Sequence, residues 1–325
     1  MITSSLRITV ALAALIAFPL GAQKPDTVSL RFNWPVGMTA IVEQEFTRVQ
    51  QSPGKNDSVT VASSYRMRVL QHARGRLVVA DSFRMGTISG VPTNGAGAAD
   101  AQRVFSLLSN LQPSFVVSTD GEFVELSQVE KMKAVIDTML SVVAKGMASM
   151  PPEFRSLMER ATSKEALTAS AAEQWNAVAG TWIGADWELG ESYGASVEEP
   201  IPMFPGFNMP MDYEFSASER LPCTKGGKGA TCVKLEMYST PDTAQLRKFV
   251  AEFMAKLGPQ MKDAASALQN MSVENEIVLI AEPRSLRPHS ITRVKRVVVN
   301  ATEKGKPAAV NRRVDIRTAR YRYEL

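Results

Sequence analysis

The chain has 325 residues, of which 45% are hydrophobic, and carries 37 Lys and Arg against 33 Asp and Glu for a formal charge of +4. That is enough to bury one large core or two moderate ones. With only 2 Cys and 2 His, and no Cys near the N-terminal apolar run, composition argues against a lipid-anchored form and leaves little material for a metal cluster.

Arg7 followed by the apolar run 8–20 and the small residues Gly21-Ala22 reads as an export signal cleaved after Ala22. The run is short for a bilayer span, so no transmembrane segment is expected after cleavage. The expected location is periplasmic or secreted. Residues 23–325 read as a single α+β domain or as two loosely repeated halves, 23–178 and 179–325.

Strands are expected near 28–32 and 39–49, then over 59–69 and 77–85, with Pro53-Gly54 and Ala73-Arg74-Gly75 as turns. Asp81 falls between Val79 and Phe83 on the apolar phase, which predicts either a raised pKa or an Arg partner such as Arg66 or Arg84. A Gly-rich loop over 90–100 precedes a short helix near 101–110. A hairpin turns at Asp120-Gly121. A helix then starts at Ser127 with Glu130 as a capping box, and its stripe runs from Val129 through Met139 to Met147. Pro151-Pro152 breaks it, and two more helices are expected near 153–160 and 163–178.

The second half opens with Trp182 and Trp187 and continues in strands. Between them lies the stretch 200–211, rich in Met, Phe and Pro, which is expected to be a loop because proline opposes a central strand or helix. Cys223 and Cys232 flank a Gly- and Lys-rich hairpin and are expected to form a disulfide in an oxidising compartment. Redox and metal roles for this pair fit poorly, because the spacing is not Cys-x-x-Cys and no His is near in sequence. Residues 242–271 then place Leu246, Phe249, Val250, Phe253, Met254, Leu257, Met261, Leu268 and Met271 on one stripe. Thr240 and Pro241 suit its start, and Gly258-Pro259 should kink it. The simplest fold curls a sheet around this helix. A final meander covers 277–281, 291–299 and 310–323, with a bulge expected near Thr318.

Catalytic motifs are absent from the sequence: there is no P-loop, dinucleotide fingerprint, Gly-x-Ser-x-Gly or His-Glu-x-x-His. His72 and His289 lack metal-ligand spacing and are expected to be exposed or locally hydrogen-bonded. Asp186, Glu188 and Glu191 surround Trp187, the arrangement that a carboxylate-dependent glycoside hydrolase would need. A solvated strand rim explains them as well. Residues 284–325 hold twelve Lys/Arg against three Asp/Glu, and alternation puts several arginines on one sheet face. Nucleic acid is not the expected partner, because aromatic interleaving on a known module is missing.

An export signal, long antiparallel meanders and Met-rich amphipathic helices together resemble the periplasmic lipoprotein-carrier and lipid-binding half-barrel group. That resemblance implies an α+β fold in which a curved sheet or half-barrel packs around amphipathic helices, with an apolar cavity for acyl chains. The segment Trp182-Ile183-Gly184-Ala185-Asp186-Trp187 is also similar to one in envelope proteins of this shape that have no assigned chemistry. The expected function is non-enzymatic binding of a lipid or other apolar ligand, without a cofactor. Phe204, Phe207 and Met209 would form the mouth, with Phe253, Met254 and Met139 inside. The alternatives are an envelope scaffold with a filled core, docking a protein partner through its basic face, and the weaker hydrolase reading.

Overall fold

The computed structural model describes residues 26–90, 113–146, 156, 159–201, 207–224, 230–256, 270–301 and 309–324. Its dominant feature is an antiparallel sheet of eleven strands in the order β6-β5-β4-β3-β2-β13-β12-β11-β10-β9-β8. The first half of the chain contributes a meander of β2 (Thr39–Ser52), β3 (Lys55–His72), β4 (Gly75–Ser89), β5 (Ser114–Val117) and β6 (Phe123–Ser127). The second half contributes β8 (Ser192–Pro200), β9 (Asn208–Pro222), β10 (Thr231–Pro241), β11 (Asn270–Ala281), β12 (Pro288–Ala301) and β13 (Ala309–Tyr323). The two meanders join where β13 pairs with β2, for example Tyr321 opposite Val42 and Arg317 opposite Phe46. The α+β class with a curved antiparallel sheet is therefore the observed architecture.

Alternation assigns each strand two faces. On the inner face, Val42, Tyr65, Tyr321, Ile291, Leu279, Leu235 and Ala217 lie side by side across successive strands. A short second layer covers them: β1 (Thr27–Ser29) paired with β7 (Asp186–Glu188), and helix α2 (Lys164–Trp175) continuing into a single π-turn, Asn176–Gly180. All four tryptophans meet here, with Trp34, Trp175 and Trp182 essentially without exposure. Trp34 and Trp175 cross edge to face at 5.2 Å, and Trp182 lies 5.6 Å from Trp187. Aromatic pairs at this spacing add to the burial of their large surfaces.

The core is therefore built on tryptophans and α2, and the helix expected to organise the sheet is not its centre. That helix, α3 (Thr243–Lys256), packs against β9 and β11 toward one edge. Its start also differs from expectation. Strand β10 runs through Thr240 and Pro241, and Asp242 caps the helix by accepting from the Gln245 amide at 2.7 Å. Met271, which periodicity placed in the helix, belongs to β11 opposite Val299. Residues 257–269, with the expected kink, lie outside the described residues, as do the loop 91–100 and the expected helix 101–110.

Three further expectations are corrected. β13 keeps continuous register with β12 and β2 through Thr318, so it has no bulge there. Simple alternation already sends Val314 and Ile316 to one face and Ala319, Tyr321 and Tyr323 to the other. Met209, Pro210 and Met211 are strand residues of β9, paired with Glu199, Glu198 and Val197, and the loop that precedes them is shorter than the Pro-rich composition implied. Glu130 of α1 (Val129–Gly146) forms an ion pair with Lys164 of α2 across the helix pair.

Candidate functional site

The inner sheet face continues past the tryptophan core. Phe46, Val61, Val273, Val297 and Met211 extend its apolar rows toward the other end of the strands and are half-buried. Helix α3 stands at this end because β10 delivers the chain directly into it. Its inward stripe buries Leu246 (7% exposed) and Met254 (8%), and Met209 of β9 is buried as well (5%).

The same elements carry a row of three half-buried rings. Phe207, just before β9, meets Phe249 of α3 at 4.6 Å, and Phe249 stands 6.4 Å from Phe253 with nearly parallel planes. One helical turn separates Phe249 from Phe253, which is why both face the same way. The Phe207 carbonyl accepts from the Ile201 amide at 3.0 Å, tying the β8–β9 connection shut at its base. Beside the start of α3 opens a groove of about 570 Å3, lined by Leu246, Pro241 and Val273 and by polar groups including Asp242, Arg247 and Glu274.

Of the expected ligand residues, the fold joins Phe207 and Phe253 through Phe249, while Met209 on β9 and Met254 on α3 are buried on the elements that carry these rings. Phe249, read from the sequence only as a member of the stripe, is the ring that links Phe207 to Phe253. Met139 is not part of this group. It is half-buried on α1, which packs against α2 beside β4 and β6, in the opposite half of the sheet. Phe204 lies outside the described residues, and the Gly-rich loop 225–229 does too.

The inner face also carries charge. Asp315 sits between Arg48 (2.8 Å) and Arg313 (2.6 Å). Burial raises the pKa of Asp315, but hydrogen bonds and charge from the two guanidiniums outweigh it and hold the carboxyl at about 2. Arg317 lies over the Phe46 ring at 5.4 Å. Deeper in, burial lowers the pKa of Arg293, which donates to the Gln174 carbonyl in the last turn of α2 at 3.0 Å.

Alternation thus splits the C-terminal arginines between two faces. Arg293, Arg313 and Arg317 point inward, and Arg296, Arg312, Arg320 and Arg322 outward. Outside, Arg296 pairs with Glu276 and Arg322 with Glu43, and Arg68 pairs with Asp81. Several arginines thus share the outer face as expected, and two of them, Arg296 and Arg322, are paired there with acidic side chains. Asp81 accepts from Arg68 at 2.7 Å, so its partner is neither Arg66 nor Arg84.

Asp186 and Glu188 flank Trp187 on β7 and are exposed, but the indole is turned inward against Trp182, Tyr193 and Phe215. Hydrogen bonding from Ser29, and the Arg31 guanidinium at 3.3 Å, lower the pKa of Asp186. A carboxyl shifted that way is the opposite of what a general acid requires.

Cys223 and Cys232 form the expected disulfide across the β9–β10 hairpin. No helix among the described residues is long and apolar enough to cross a membrane. His289, distant in sequence, packs beside the disulfide and meets Glu282 at 3.1 Å.

No family model matches the chain, and no characterised protein matches it in sequence. Among solved structures it is similar to a lipovitellin chain described for its lipid–protein interactions, at 7% identity and a TM-score of 0.42, over 89% of this chain and 25% of that one. The chain thus spans about a quarter of the lipovitellin chain's length. An outer membrane channel from Pseudomonas putida F1 aligns at 10% identity over 90% of this chain and 98% of its own, with a TM-score of 0.16. OccK11 (OpdR) of Pseudomonas aeruginosa aligns at 6% identity over 91% of this chain and 98% of its own, with a TM-score of 0.17.

Proposed function

We propose that this protein is a non-catalytic, exported envelope protein that holds an apolar ligand, a lipid or acyl chain, between the inner sheet face and helix α3. The observation that carries this reading is the half-buried aromatic row Phe207–Phe249–Phe253, on the elements that also bury Met209 and Met254, where the inner face runs on past the tryptophan core. Phenylalanine and methionine together offer a deformable apolar surface without a fixed hydrogen-bonding pattern, which suits acyl chains of varied shape. The inward Arg317 and Arg48 at the same end of the sheet would favour a ligand with an anionic head group. Export is supported by the N-terminal sequence pattern and the disulfide. A binding rather than catalytic role is supported by the inward turn of Trp187, which leaves Asp186 and Glu188 on an exposed strand rim.

Native mass spectrometry of the protein purified without detergent, followed by solvent extraction, tests the reading. The expected result is a co-purifying lipid, or uptake of an added fatty acid, that is lost in Phe207→Asp while the circular dichroism is unchanged. A clean apo mass with no uptake, or uptake equal in Phe207→Asp, overturns it.

A further inference from the structure

We propose that Cys223, Cys232 and His289 form a latent site for a thiophilic divalent metal of the zinc type, opened when the disulfide is reduced. The ligand atoms of the three residues all lie within 4.8 Å of one another. They arrive from two places in the chain: the cysteines flank the β9–β10 hairpin, with Cα atoms 4.9 Å apart, and His289 stands near the start of β12. Strand β11 lies between β10 and β12, pairing Val233 with Ala281 and Ala281 with Pro288, and this register carries the imidazole to the sulfurs.

The surroundings of His289 fit a ligand better than a spectator. Its Nε2 is hydrogen-bonded to Glu282 Oε1 at 3.1 Å, which leaves Nδ1 available to a metal. Glu282 is itself fixed, since its Oε2 accepts from Arg287 Nη2 at 2.6 Å and from the Ser285 hydroxyl at 2.8 Å. Tyr323 packs against the imidazole ring at 5.5 Å. A carboxylate that orients the second nitrogen of a histidine is the usual outer support of a metal-bound imidazole, and here it is assembled before any ion arrives.

Two thiolates and one imidazole make three of the four positions of a tetrahedral zinc-type ion, with the fourth open to water or an external ligand. With Zn–S bonds of about 2.3 Å, the sulfurs need to stand roughly 3.8 Å apart, a separation that side-chain rotation supplies across a strand pair. Cys232 is fully buried and Cys223 half-buried, so the site is shielded on one side and reachable on the other.

The chemistry balances with a dithiol as reductant. It donates two electrons and two protons, the Cys223–Cys232 S–S bond breaks to give two thiols, and the dithiol closes to its own disulfide. Metal binding then displaces the two thiol protons as Cys223 and Cys232 become thiolates. In an oxidising compartment the bridge excludes the ion, so occupancy reports the redox state around the protein.

Cobalt(II) titration of the full chain, reduced and then freed of reductant under anaerobic conditions, tests this. The expected result is one Co2+ per chain with near-ultraviolet thiolate-to-metal absorbance, absent from the oxidised protein and displaced by zinc. Cys223→Ser should abolish the band. His289→Ala should weaken binding by at least about 10-fold, and Glu282→Gln by about 10-fold through loss of its support. Reduced, folded protein that binds no cobalt, or binds it equally in His289→Ala, overturns the proposal. Loss of the native circular dichroism on reduction also overturns it, because the site exists only while β10 and β12 remain paired to β11.

Discussion

Trp175 donates its indole N–H to the carbonyl of Gly121 at 2.7 Å, a buried hydrogen bond that ties the end of α2 to the β5–β6 hairpin. The indole N–H groups of Trp34, Trp182 and Trp187 have no acceptor among the described residues. Trp175→Phe removes ring volume and also leaves the Gly121 carbonyl unpaired, so it should destabilise by about 1 to 3 kcal/mol more than Trp182→Phe. Urea denaturation midpoints at constant m-value give the comparison. Equal losses would show that this hydrogen bond adds nothing.

Gly121 itself is irreplaceable for two reasons. Its φ is +90°, and an added Cβ would overlap the Phe32 ring and the Ile183 side chain. Gly121→Ala therefore combines backbone strain with overpacking and should cost about 2 to 4 kcal/mol, read as a lowered midpoint. At Gly37 an added Cβ meets nothing, although φ is +89°. Gly37→Ala should cost only the backbone strain, about 1 kcal/mol.

The Arg48–Asp315–Arg313 cluster predicts acid sensitivity. Asp315 is held at about 2 in the folded protein, below the 3.8 of an ordinary aspartate. Its contribution is therefore complete above about pH 4 and is lost as pH falls toward 2. Asp315→Asn should be less stable than wild type at pH 7, and the gap should close between pH 4 and pH 2. A gap that stays constant with pH would assign the loss to packing.

Tyrosine burial predicts the alkaline limit. Burial pushes Tyr321 up to about 12 and also raises Tyr65 and Tyr323. The unfolded chain ionises these phenols near pH 10, so stability should be full below that pH and fall as pH rises through about 12. Absorbance at 295 nm should then show tyrosine ionisation coinciding with loss of the near-ultraviolet circular dichroism. Ionisation of all tyrosines near pH 10 with the fold intact would contradict the burial.

The sheet was readable because alternation is a local property. Each of β2, β3 and β9 shows its two faces within its own residues, and turn signals such as Pro53-Gly54 mark where the chain reverses. Helix α1 and the body of α3 were legible in the same way from a 3.6-residue period. The site was half legible. Phe207 and Met209 stood out in a Pro-rich stretch, and Phe253 and Met254 were stripe residues chosen as cavity lining, but Phe249 on the same stripe was not singled out. Its role depends on which ring it meets, and that ring comes from another element.

Sequence by itself determined the antiparallel strands, the amphipathic helices and the disulfide, because periodicity, turn chemistry and cysteine spacing act over a few residues. The tertiary structure alone decided that β13 pairs with β2 and so fuses the two meanders into one sheet. It also decided that tryptophans rather than α3 fill the core, that Met139 belongs to the opposite half, and that His289 lies beside the disulfide. These are long-range pairings, chosen by which apolar faces bury the most surface together, and no window of the sequence contains both partners.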